Sequence, residues 1–278
     1  MAKVSERAKS RYQERVKEYR SAVAASLAKE KEIAARLEKG NHEQTDQRLM
    51  LAQKNLGIVS YYVLMNELSV SLLGIKNESM LNDARKCCYK ALIYLEEIVS
   101  TYVDTPFSDY EGGVLSMDAV LGDKEKLDLL RKIGFALASV REGFGENTKW
   151  KWSFVELDYR LAVTAKNTLN LKTVVGKLDP NHPSYDAVLD HIDLIRRLLA
   201  GSANDYRQKY ELTTRRPDDM QMAINLLSAL RRVQMLLGEV EDAENLKKKV
   251  DVWHTKLEMD IKGKKRERHG VRPQTKSK

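Results

Sequence analysis

Apolar residues recur at steps of three or four along nearly the whole chain, a spacing that predicts amphipathic helices rather than strands. Val4, Ala8, Tyr12, Val16, Tyr19, Val23 and Leu27 open the series, and Ile33 and Leu37 continue it after one break. Charged residues fill the other faces, and Lys39-Gly40 closes the segment. A helix this long with so narrow an apolar stripe packs along a bundle or pairs with a partner helix. Val16, Tyr19 and Val23 are therefore candidate partner-binding residues. A second helix, over 45–73, is apolar almost all round and is expected to be the innermost element. Gly57 inside it is expected to mark a close helix–helix approach. A third helix reaches to about residue 103, with Ala84, Cys87, Cys88, Ala91 and Leu95 on its buried side.

Residues 104–122 break the pattern. Pro106 and the pair Gly112-Gly113 predict a linker, with room for only a short helix over about 115–121. Beyond it the same grammar returns, with helices predicted over about 124–142, 149–175, 185–200, 203–213, 217–237 and 240–261. Glycines and prolines punctuate them. No stretch alternates with period two. The fold class expected is all-α, with antiparallel helical hairpins forming a bundle or a short irregular solenoid. The expected division is an N-terminal bundle over 1–103, the linker 104–122, C-terminal hairpins over 123–261, and a disordered basic tail over 262–278.

Charge separates the ends from the middle. The 278 residues carry a formal net charge of +8, yet residues 262–278 alone hold eight Lys or Arg against one Glu, and residues 1–39 hold eleven against six. The middle is mildly acidic. Lys262, Lys264, Lys265, Arg266 and Arg268 are candidate contacts for a polyanion, whether nucleic acid or an anionic surface. The one other place where cations interleave with aromatics is 149–154, where Trp152 is expected to be partly exposed beside the core candidates Trp150 and Phe154.

The search for catalytic chemistry gives little. The chain lacks a Gly-x-Ser-x-Gly elbow, a phosphate-binding Gly-x-x-x-x-Gly-Lys loop and a dinucleotide fingerprint. Adjacent Cys87 and Cys88 point in different directions on a helix and read as small buried hydrophobes, not as a redox or metal pair. Asp186, Asp190, His191 and Asp193 are a suggestive cluster that reads as a solvated acidic face. No cofactor and no metal is expected. Residues 55–75 have the length of a bilayer span, but Asn55, Ser60, Asn66, Glu67, Ser69 and Ser71 interrupt them. The expectation is a buried helix, no transmembrane segment and, with no apolar leader visible, a cytoplasmic protein.

Residues 223–253, AINLLSALRRVQMLLGEVEDAENLKKKVDVW, resemble a tetratricopeptide unit. Small and large apolar residues lie on the first helix, Gly238 stands at the turn, and Ala243 comes early in the second helix. The resemblance implies peptide or protein binding without catalysis. Taken together, these features predict a non-enzymatic scaffold or adaptor that binds other proteins or a second copy of itself. The alternative is a nucleic-acid-associated protein acting through the basic tail and first helix.

Overall fold

The computed structural model describes residues 5–37, 45–146 and 148–270, with side chains described as far as residue 263. Among these residues the protein is all-α, with no strand. The helices are α1 (Glu6–Leu37), α2 (Thr45–Leu73), α3 (Glu78–Glu96), α4 (Phe107–Asp118), α5 (Asp123–Phe144), α6 (Lys151–Asn167), α7 (Tyr185–Lys209), α8 (Pro217–Leu236) and α9 (Val240–Gly270). A 3-10 turn, Val175–Leu178, follows α6, and a π-helical turn, Tyr210–Thr214, follows α7. Two compact units divide within α7, one ending at Ile195 and the other beginning at Arg196.

The first unit is built on helical hairpins. α1 lies along α2, and its stripe is consumed there: Tyr12, Val16 and Val23 are buried, and the Tyr19 ring sits 5.8 Å from that of Tyr61. The stripe proposed for a partner is thus covered by the chain's own second helix. Farther along, the buried carboxylate of Glu30 accepts hydrogen bonds from Asn55 Nδ2 at 3.3 Å, Lys90 Nζ at 3.0 Å and Tyr94 OH at 3.2 Å. One residue of α1 is thereby bound to both α2 and α3.

Helix α3 folds back on α2. Asn77 caps it, its side chain accepting from Met80 N at 3.1 Å while its own N–H donates to Asn66 Oδ1. α5 packs on α2 and α3, and α6 on α3 and α5. Cross-links fix the sense of α3 against α6. Arg85 and Tyr89 meet Ser153, and farther along Glu96 meets Arg160 at 2.6 Å, so these two helices run parallel. Burial lifts the Glu96 carboxyl to about 7 against the opposing pull of Arg160.

The sequence placed a linker where the structure has α4. Gly112 and Gly113 are helical, and Gly113 marks the close approach: a Cβ there would fall 1.8 Å from the Ile98 carbonyl oxygen. Tyr110, Val114 and Met117 bury the inner side of α4. At its end, Asp118 takes Lys126 Nζ at 2.5 Å and Asn170 Nδ2 at 2.8 Å, and the buried Lys126 also lies 3.4 Å from Asp123. Asp123 in turn accepts from Lys177. These ion pairs join α4 and α5 to the segment after α6.

The expected third helix stops early, at Glu96, and the expected 149–175 helix ends at Asn167, within a run of ten successive buried residues, 161–170. By contrast, the two helices expected over 185–213 are one, running through Gly201.

In the second unit, α8 and α9 form a hairpin turning at Gly238, with Ala243 and Trp253 buried. Arg207 lies over the Trp253 ring at 5.3 Å, and Tyr210 OH donates to Asp260 at 2.6 Å. α9 continues past Lys262, where the tail was expected to begin, and its backbone is helical to Gly270.

Candidate functional site

An open groove runs between α2 and α5 in the first unit. It consists of two hollows, of about 560 and 700 Å³. The first is lined by Gln53, Gly57 and Ser60 of α2 with Asp128, Lys132 and Phe135 of α5. The second is lined by Glu67, Ser71 and Gly74 with Phe135, Ser139 and Glu142. Early residues of α2 face early residues of α5, so the two helices run parallel. Phe135 belongs to both hollows and joins them.

The groove follows from two interlocking helical repeats. On α2 the outward positions Gly57, Ser60, Leu64, Glu67 and Ser71 fall at steps of three and four, seven residues per two turns, and Gly74 follows directly after the helix. On α5, Asp128, Lys132, Phe135, Ser139 and Glu142 do the same. The small residues on α2 leave room, and no atom lies within 4 Å of where a Gly57 Cβ would be. Gly57 therefore opens a surface hollow and does not mark the close approach expected from the sequence. Nor is α2 innermost on all sides. Leu51, Ile58 and Met65 are buried, but Leu64 and Val70 are 41% and 48% exposed.

Phe135 is the conspicuous residue. It is 76% exposed, while its neighbours Ile133, Leu137 and Val140 on the inner face of α5 are buried. An aromatic ring left in water in a hollow of mixed lining is the kind of anchor that protein interfaces use. Lys132 and Glu142, on the same stripe, have no ion-pair partner among the described residues, whereas neighbouring Arg131 pairs with Asp190 at 2.8 Å. Gly145, with φ 78°, closes α5 through N–H bonds to the Arg141 and Glu142 carbonyls.

The residues singled out from sequence are dispersed. Val16, Tyr19 and Val23 lie against α2, as described. Trp152 is half-buried with Lys151 Nζ 5.1 Å from its ring, and Trp150 carries Arg85 at 4.1 Å. Lys262 is exposed and pairs with Glu258 at 3.3 Å. Lys264, Lys265, Arg266 and Arg268 stand on the helical backbone of α9, but their side chains lie outside the described residues, as does everything after Gly270. The acidic cluster is split: His191 turns inward, its Nε2 2.9 Å from the Ala165 carbonyl, while Asp190 turns out to Arg131. Among the described residues no group of His, Cys, Asp and Glu is arranged to hold a metal ion. Cys87 and Cys88 are buried, and burial pushes their thiols up to about 11 and about 12.

The model of one protein family, the TP0443 family, matches residues 8–261, which spans all but the two ends of the chain. The chain belongs to the TP0443 family. No curated protein and no solved structure matches it. The matched stretch of this TP0443-family chain includes both walls of the α2/α5 groove. Sequence reasoning missed the groove. Its signal was there, in Phe135 standing out of phase with the core stripe of α5, and in the small residues repeated on α2.

Proposed function

We propose that this TP0443-family protein is a non-enzymatic docking scaffold that seats an amphipathic helix in the α2/α5 groove. The observation that carries the reading is the pairing of two heptad-spaced walls around the exposed ring of Phe135. A third helix with the same repeat fits such a groove, knob into hole. The α8/α9 hairpin, with its likeness to a tetratricopeptide unit, supports a protein-binding role.

The test is photo-crosslinking in the native cell with benzoylphenylalanine in place of Phe135, and in place of Tyr102 as an exposed control. The expected result is an adduct at 135 alone, mapping to a segment with heptad-spaced apolar residues. Equal labelling at both positions, or none at 135, sinks the reading.

A second reading is supported by α9, whose helix runs on through the cationic positions to Gly270. It makes the protein an associate of nucleic acid through that arm and the cations of α1.

A further inference from the structure

We infer that the helix seated on the groove is α5 of a second copy of this chain, an inference that rests on the docking reading above. Among the groove-facing residues of α5, Asp128, Lys132, Phe135, Ser139 and Glu142, the four from Lys132 to Glu142 are self-complementary. A two-fold axis crossing α5 midway between Phe135 and Ser139 sets two α5 helices antiparallel. Each Phe135 then lies opposite Ser139 of the second copy, large against small. Each Lys132 lies opposite Glu142 of the second copy, cation against anion. Both relations hold twice, as an isologous interface requires. Lys132 and Glu142 are available for this, having no ion-pair partner among the described residues, and the ring of Phe135 is 76% exposed. Ser139 lines the second hollow with Val63, Glu67 and Ser71, and that hollow is where the incoming ring lies. Antiparallel helices also align their dipoles favourably. A parallel arrangement of the same stripes would place like charges together.

The test is light scattering and sedimentation of the full chain at micromolar concentration. The wild-type protein is expected to be a dimer. Lys132→Glu alone sets two carboxylates together at each end, and Glu142→Lys alone sets two ammonium groups together. Each variant is expected to dimerise about tenfold more weakly or worse. Mixing the two variants restores opposite charges at both ends, so the mixture is expected to form a heterodimer of near wild-type strength. Both positions are exposed, and unchanged melting curves for the variants show that neither acts by unfolding. A monomeric wild-type protein, a dimer indifferent to the charge changes, or a mixture that fails to re-form a dimer overturns the inference. If a Phe135 adduct to a different protein accompanies any of those, the docking reading stands without the self-pairing.

Discussion

His191 shows what one residue contributes at depth. Its ring is fully buried and donates from Nε2 to the Ala165 carbonyl, and burial, aided by the nearby Lys126 charge, holds its pKa down at about 4. The folded state therefore favours the neutral ring. A group whose folded pKa lies below its unfolded value contributes stability that is complete above the unfolded pKa, near 6.5, and is lost as pH falls toward 4. The expected loss across that window is about 3 kcal/mol. The Glu96 carboxyl, lifted to about 7, gains stability over the same window as it takes up a proton, so the His191 share is read by difference: His191→Gln, which keeps an N–H donor but cannot titrate, should lose about 3 kcal/mol less than the wild type between pH 7 and pH 4. The sequence made His191 part of an acidic cluster because spacing gives a face and not its direction. Asp190 and His191 are adjacent, and one turns out while the other turns in.

Helices were largely legible from periodicity, and the departures have physical causes. α2 was read with the limits it has, 45–73, since its apolar steps and Gly74 leave little choice. α4 was misjudged because a pair of glycines reads as a loop, yet Gly113 serves a contact with the Ile98 backbone that no other residue permits. Gly201 was read as a stop, but α7 passes through it, since one glycine costs a helix only about 1 kcal/mol. The role of α1 was left open between packing along the bundle and pairing with a partner helix, and the burial of Tyr12, Val16 and Val23 decides for the bundle. Val16→Asp puts a charge where no water reaches and should cost about 3 kcal/mol of stability, seen as a lowered urea midpoint. Lys17→Asp, on the exposed side of the same turn, should stay within about 0.5 kcal/mol.

Taken as a whole, the chain places its cations at the ends and its open groove in the middle. That separation gives the two functional readings different signatures. Should nucleic acid be the partner, and should all eight cations of 262–278 meet phosphates, log K falls with log salt at a slope of about −7, and deleting those residues abolishes the dependence. A titration that finds no binding of RNA or DNA at low salt closes that reading. The groove was not legible from the linear pattern, because neither α2 nor α5 contains it. It arises only where two repeats, seventy residues apart by roughly the chain's own count, are laid side by side in the same direction. What the sequence does carry is the out-of-phase Phe135, which has meaning only once its opposite wall is known.

The Glu30 carboxylate has a consequence for how α1 settles. The Tyr12, Val16, Tyr19, Val23 ladder repeats, so one apolar rung is nearly as good as the next, and greasy contact alone would let the hairpin slip by two turns. Slippage would carry the anion away from Asn55, Lys90 and Tyr94 and forfeit all three hydrogen bonds. Glu30 thus acts as a detent, denying the ladder every alignment but one.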